Sequence, residues 1–323
     1  MRESAHHQSS HLFPRESASA LLAIYWILAL LTMLVFGGAQ LLLAEREAAW
    51  VQQDRAKANW LAEMGLNVAA HPEVEDGEEI LSQEFREGQE SFHAWREAES
   101  ARLNLNALLV RREEEVLVRL FETWGASPVD SAPLIEALLD WVDADDGRML
   151  QGAESRDYAK IGAIGFPRNR PFQSFSEVQT VMGIDWLNGL QPGWTEFFTL
   201  YGDGRLALQD ASAELIAATC GCSLLDAEEL VTLRRGPDGE AHTEDDVSLE
   251  SVESALALLG IGGPELASVR SRVTLAKDVL RLRSRGQVGT IGMERWLVVE
   301  GRGSGMRILA AGSNEFWEEN EEE

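Results

Sequence analysis

The stretch from Ser17 to Ala44, SASALLAIYWILALLTMLVFGGAQLLLA, limits the folds open to this chain more than any other feature. Glu16 precedes it, Glu45 follows it, and no formal charge lies between them. A helix needs about 20 apolar residues to cross a bilayer core, and this run exceeds that. A core helix of a soluble domain would be shorter and would show a polar face. Here only Gln40 and a few hydroxyls interrupt the apolar surface. A cleaved signal peptide fits less well, because its apolar part is shorter and ends in a small-residue cleavage site. The sequence therefore predicts one membrane-spanning helix. Residues 1–16 form a polar leader with His6, His7 and His11. The positive-inside rule counts cations only, so Arg2 and Arg15 place this end in the cytoplasm and the rest outside.

The helix is expected to continue past the bilayer. Glu45 to Ala70 holds no Pro and one Gly, Gly65. Ala49, Val51, Ala56, Trp60, Leu61, Met64 and Leu66 give an approximate helical stripe. Together the two segments make one helix of about 50 residues, or about 75 Å, and His71-Pro72 is its expected stop. A helix half in lipid and half against a globular domain is unusual for an enzyme and suits a filament subunit.

Further along, Glu73 to Glu90 reads as an acidic loop, and Leu103 with Leu105 as a short first strand. Helices are predicted over 112–124, over 133–141 with Asp130 or Ser131 as cap, and over 174–182 ended by Gly183. Residues 197–208 read as a hairpin turning at Gly202-Asp203-Gly204. Helices are expected again at 213–218, 225–234 and 252–259. Residues 273–282, 287–291, 296–300 and 306–310 alternate apolar and polar side chains and read as antiparallel strands. Residues 314–323 read as a disordered tail. The run ARLNLN at 101–106 is echoed by GRLALQ at 204–209, which marks two places where the chain leaves a sheet for helices.

Charge narrows the function. With 28 Lys plus Arg against 54 Asp plus Glu, the formal charge is −26. Such a surface repels phosphate backbones, so nucleic acid is not an expected partner, although Leu258 to Pro264 has the shape of a DNA-binding helix hairpin. Acidic loops can instead hold a hard cation such as Ca2+, which takes six to eight oxygens. Asp143, Asp145 and Glu154 stand at relative positions 1, 3 and 12 of a calcium loop, but Gly147 falls one place early. Asp238, Asp245 and Asp246 form a second acidic group, on a turn shaped by Gly236, Pro237 and Gly239. The two cysteines, Cys220 and Cys222, are too few for a zinc site, and a disulfide across Gly221 would be strained. No nucleophile elbow, phosphate loop, dinucleotide fingerprint or zinc-protease helix occurs, so no enzyme is expected.

A resemblance adds to this reading. Ser19 to Leu31, Trp60 to Leu66, Leu103 to Leu108, Leu134 to Asp145 with Gly152-Ala153-Glu154, Pro171 to Phe175 and Tyr201 to Gly204 follow, in order, the pattern of the type II secretion minor pseudopilins of the general secretion protein K family. The resemblance implies an α+β, pilin-like fold, in which a long N-terminal transmembrane helix packs on an antiparallel sheet that carries a large inserted all-α domain. On that scheme 1–18 is a leader, 19–44 the membrane helix and 45–70 its periplasmic continuation. Then 71–105 holds a loop and the first strand, and 106–200 the inserted helices. The span 201–272 is a second helical part with the acidic loop, 273–313 the C-terminal strands and 314–323 an acidic tail. It implies a subunit at the tip of the pseudopilus, in the inner membrane with its C-terminal domain in the periplasm. Its partners would be the minor pseudopilins I and J and the major pseudopilin. It also implies cleavage by prepilin peptidase between Ala18 and Ser19, with Ala18 standing where the family has Gly, and Ala23 standing where ordinary pilins have Glu. Calcium binding belongs to the same implication. A minor pilin of a type IV pilus, and a membrane-anchored periplasmic hydrolase, are the alternatives.

Overall fold

The structure, a computed structural model, describes residues 15–75, 78–85, 88–239, 246–301 and 305–317. It divides into two compact units, residues 1–56 and 57–323. Most of the first unit is the N-terminal part of α1 (Arg15–Ala70). Leu22, Ile24, Trp26, Leu30, Phe36 and Leu42 are each more than half exposed. The most apolar window of this helix has a mean hydropathy of 2.3, and it is the one described helix long and apolar enough to cross a membrane.

In the second unit α1 ends at Ala70, as His71-Pro72 predicts, because a residue before Pro is pushed out of the helical region. Its last carbonyls do not face water alone. The buried Arg96 guanidinium donates to the carbonyls of Ala69 (2.7 Å) and Val74 (2.8 Å), so a cation closes the negative end of the helix. The face that packs differs from the predicted stripe. Ala58, Ala62, Leu66 and Ala69 are buried, whereas Trp60 is 70% and Met64 40% exposed. Small residues win because the sheet comes close to the helix backbone. A Cβ on Gly65 would lie 2.2 Å from Ser284 Oγ, and one on Gly286 would lie 2.2 Å from the Ala58 carbonyl oxygen.

That sheet has five strands, all antiparallel, in the order β1 (Ser82–Phe85), β2 (Glu90–Ala98), β7 (Val279–Val288), β8 (Ile291–Glu300), β9 (Arg307–Trp317). The C-terminal alternation is realised as predicted, with two corrections. The runs at 273–282 and 287–291 are not separate strands: β7 runs through Ser284 and Gly286, whose smallness serves the helix and hides the pattern. Strand β9 extends to Trp317, beyond the point where a disordered tail was expected; residues 318–323 lie outside the described residues. The expected acidic loop at 73–90 contains a 3-10 turn and the edge strand β1, whose charged sequence SQEF gives no apolar alternation.

Between β2 and its register neighbour β7 lies the whole helical insert. It begins with β3 (Leu103–Asn104), which is not part of the large sheet as expected but pairs in parallel with β4 (Phe198–Thr199). There follow α2 (Leu105–Val110), α3 (Glu114–Thr123), α4 (Pro128–Val142), α5 (Ser155–Lys160), α6 (Phe175–Val178) and α7 (Ile184–Leu190). After β4 come β5 (Leu206–Ala207), α8 (Ala213–Cys220), α9 (Leu224–Arg234), α10 (Val252–Leu258), α11 (Leu266–Arg272) and β6 (Val273–Thr274). The expected hairpin at 197–208 does not form. Its turn is real, with Gly202 and Gly204 at φ +88° and +84°, but β5 pairs in parallel with β6 instead. Helix α4 starts five residues earlier than expected, with the Ser127 hydroxyl accepting the Asp130 N–H and Pro128 in its first turn. Gly183, expected to end a helix, precedes α7 in a left-handed conformation. The echoed runs do share a geometry, since each gives a two-residue strand in a parallel pair followed by helices. One continuous core from Leu103 to Val273 unites these elements, centred on Phe121, Leu134, Trp141, Tyr158, Trp194 and Leu215.

Candidate functional site

Two regions concentrate buried charge. The first is the acidic loop after α4. The helix carries Asp140 and Trp141 fully into the core. Both Asp140 oxygens accept the Met149 N–H at 3.2 Å. Gly152 is required beside them, because a Cβ there would lie 2.1 Å from Asp140 Oδ2. Glu154, 3% exposed, follows two residues later. At the start of α5 the Glu154 carboxylate meets only the backbone N–H groups of Ser155 and Asp157, and among the described residues no cation pairs with it; Asp143 Oδ1 has no hydrogen-bond partner there either. Burial, and then the neighbouring Asp140, raise the Glu154 carboxyl to about 7. Burial raises Asp140 and Asp143 as well, with Asp145 adding to the effect on Asp143.

Of the three residues singled out here by spacing, the structure brings Asp143 and Glu154 into one electrostatic cluster. Asp145 is turned aside to accept the Gly147 N–H at 2.7 Å, and Asp143 also meets Arg112 at 3.3 Å. Asp140 and Asp146 join the cluster and were missed. Asp140 had one signal in the sequence, its place three residues before Asp143 at a helix end. Among the described residues, no three His, Cys, Asp or Glu side chains converge as they stand on a position for a metal ion. The donor chemistry still suits a hard cation, with oxygen donors only and the buried Asp143 Oδ1 left unsatisfied.

In the second acidic loop Asp245 lies outside the described residues. Asp246 lines a cleft with Asp210, Arg234, Arg235 and Lys277, so cations are already set beside it. The Arg234 guanidinium donates to the carbonyls of Leu208 and Ala211, and burial lowers it to about 10. Ala18 and Ser19 lie on the helical backbone of α1. Cys220 and Cys222 are free thiols, and burial pushes Cys220 up to about 12.

The second region is the junction of insert and sheet, which sequence reasoning did not foresee. Glu99 is fully buried just after β2. It accepts from Arg281 Nε and Nη2 (2.8 Å each), Arg102 Nη1 (3.1 Å) and Thr199 Oγ1 (2.6 Å). One carboxylate thereby binds strand β7, the exit from β2 and strand β4 of the insert. Beside it, burial pushes the Glu97 carboxyl up, but the Trp95 indole and the cations Arg102 and Arg283 outweigh this and hold it below its usual range. Arg281, Arg283 and Arg285 alternate along β7 on the face away from α1, with Arg283 and Arg285 over Trp95 at 5.3 and 5.5 Å. A cleft of about 370 Å³ between sheet and insert is lined by Glu97, Arg102, Glu196, Asp210 and Arg283.

With this geometry in view, comparison with known proteins is informative. The sequence model of the type II secretion system protein K matches residues 101–188, the first half of the insert. The type II secretion system protein K of Klebsiella pneumoniae is 29% identical over 197 residues, covering 53% of this chain and 59% of that relative, so the match spans less than two thirds of the relative's length. A chain in the crystal structure of the GspK-GspI-GspJ complex from enterotoxigenic Escherichia coli superposes with a TM-score of 0.62 at 16% identity, over 84% of this chain and 100% of that chain. That likeness establishes the α+β pilin-like fold: long N-terminal helix, antiparallel sheet and inserted helices. The order of motifs, the sequence match and the shared fold agree in direction: residues 101–188 of this chain match the type II secretion system protein K, and the chain as a whole has the fold seen in that complex.

Proposed function

We propose that this chain is a minor pseudopilin that caps the tip of a type II secretion pseudopilus and acts in its initiation and in protein export across the outer membrane. The observation that carries the reading is the insert. A pilin-like helix and sheet are interrupted between two neighbouring strands by some 180 residues of helical structure. Such a bulk leaves no room for a further subunit stacked above it, so it suits the first position of a filament. The role is mechanical, with no catalytic centre. α1 stores the subunit in the inner membrane as a single span, with the second unit in the periplasm. Prepilin peptidase would act between Ala18 and Ser19. The minor pseudopilins I and J are the nearest partners, with the major pseudopilin below them.

Calcium is the proposed ligand of the loop after α4. Glu154 and Asp143 would hold it through their buried oxygens, with Asp140 and Asp146 supplying further charge. A bound cation would offset the mutual repulsion of these carboxylates. The loop of Asp238, Asp245 and Asp246 is the second place proposed for it.

The test is co-purification of the full chain, in detergent, with the I-type and J-type pseudopilins of the same genome. A stable ternary complex is expected. If the chain stays alone with both partners folded and present, the tip assignment fails and the type IV pilus reading replaces it.

A further inference from the structure

Cys220 and Cys222 are the two thiols of this chain, and one residue separates them. Both lie at the corner between α8 and α9. Cys220 is the last residue of α8 and is 6% exposed. Cys222 is half-buried. It directly precedes Ser223, whose hydroxyl caps α9 by accepting the Asp226 N–H at 3.1 Å. Between the cysteines Gly221 takes a left-handed conformation, φ 72° and ψ 21°, and its N–H donates to the Ala217 carbonyl at 2.8 Å.

That conformation decides what the two thiols can do. An extended residue at 221 would hold the flanking Cα atoms about 7 Å apart, at the limit of a disulfide's reach. Helical dihedrals of either hand bend the chain at the middle residue and bring its neighbours to about 5.5 Å, close to the commonest separation in disulfides. The strain expected from so short a loop is thus relieved by a turn that the fold supplies and that glycine adopts most readily. The Arg119 guanidinium crosses the same corner. Its Nε donates to the Ala218 carbonyl at 2.7 Å, and its Nη1 would lie 3.6 Å from a Cβ on Gly221. Burial raises both thiols and Cys222 adds to the effect on Cys220, while Arg119 opposes the rise at each of them. Among the described residues no cluster of three His, Cys, Asp or Glu makes a metal site here.

We propose that Cys220 and Cys222 form a dithiol–disulfide couple, closed by exchange with an external disulfide. Cys222 is the point of entry, because it is the more exposed of the two. Its thiolate attacks the external disulfide, which leaves a mixed disulfide on Cys222 and releases one thiolate. The Cys220 thiolate then attacks the Cys222 sulfur, the second external thiolate departs, and the internal S–S bond closes. The protein gives up two electrons and two protons, and the external disulfide becomes two thiols. The closed bond ties the last turn of α8 to the cap of α9, within the continuous core of the insert. The proposal does not depend on the filament role.

The test uses the full chain in detergent, reduced, freed of reductant and incubated with oxidised glutathione. N-ethylmaleimide then blocks the remaining thiols. Trypsin cuts after Arg205 and Arg234 and at no residue between them, so both cysteines fall on one peptide. In the native chain that peptide is expected to be lighter by two hydrogens and to carry no maleimide. Cys220→Ser should stop at the mixed disulfide, with one glutathionyl group on Cys222, and Cys222→Ser should take up none. The folded chain has already fixed the turn, so in one glutathione mixture its ratio of closed to open form should be about ten-fold higher than in urea. Two free thiols after excess oxidant would overturn the proposal. So would a native chain that stops at the mixed disulfide, glutathione on Cys222→Ser, or an equal ratio in urea.

Discussion

Glu99 shows how much one side chain can settle in this molecule. Its carboxylate is fully buried and answers Arg281, Arg102 and Thr199 together. Glu99→Ala should leave the Arg281 guanidinium without its anion at the junction, while Arg102 keeps Glu97, and cost about 3–5 kcal/mol in chemical denaturation of the full chain in detergent. Glu99→Gln keeps an acceptor and should cost less, about 1–3 kcal/mol. A loss below about 1 kcal/mol for the alanine variant would remove Glu99 from this role. Nothing in the sequence marked it, because one Glu among many looks alike when its partner lies 182 residues away. Glu154 makes a different prediction. Its folded carboxyl titrates near 7, above the ordinary value of 4.5. The folded state therefore holds a proton that the unfolded state has released, and stability falls as pH rises from about 4.5 to about 7. In chelator the loss across that window should approach 3 kcal/mol, and Glu154→Gln should remove it from the difference between the two proteins. Calcium should restore stability to the native chain above pH 7 but not to Asp143→Asn with Glu154→Gln. An equal rise in both melting temperatures would place the ion elsewhere.

At the scale of elements, the contact of α1 with the sheet is set by close approach. Gly286→Val would drive a side chain into the helix backbone at Ala58 and Ala62, and should destabilise by about 3 kcal/mol or more, read from the unfolding midpoint. The length of α1 and its stop at His71-Pro72 were legible because they depend on local chemistry: an apolar run, the absence of Pro, and then a Pro. The packed face was not, since a stripe of Ala58, Ala62, Gly65 and Ala69 has almost no apolar contrast. Most insert helices were legible from caps and glycines, with α4 shifted because Ser127 rather than Asp130 or Ser131 supplied the cap. Strands β3 and β4 are two residues each, too short for any period to show, and their pairing across some 95 positions is a tertiary event. The acidic loop was half legible. Spacing found Asp143 and Glu154, but only the burial of α4 reveals Asp140.

For the molecule as a whole, the apolar helix predicts its own test. Leu28→Arg with Leu31→Arg should oppose membrane insertion by about 6 kcal/mol, and the chain should move from the membrane fraction to the carbonate-soluble one. Retention in the membrane would mean that something other than this helix holds it. The position of the insert has a kinetic consequence as well. Strands β2 and β7 pair along their whole length, yet residues 99–278 separate them. Closing so long a flexible loop costs about 3 kcal/mol more than closing one of a few residues. Once folded, the insert removes that penalty, because its two ends already meet: Ser100 Oγ donates to the Ala276 carbonyl, and β5 lies beside β6. Loop closure therefore favours an order in which the insert folds first and the β2–β7 ladder forms on it. Trp141→Ala, far from any strand of the sheet, should then slow refolding of the β2–β7 ladder and weaken hydrogen-exchange protection of β7 amides. Folding in that order would make the sheet report on the insert: a lesion in the helical core far from β7 is read out as lost protection in the β2–β7 ladder.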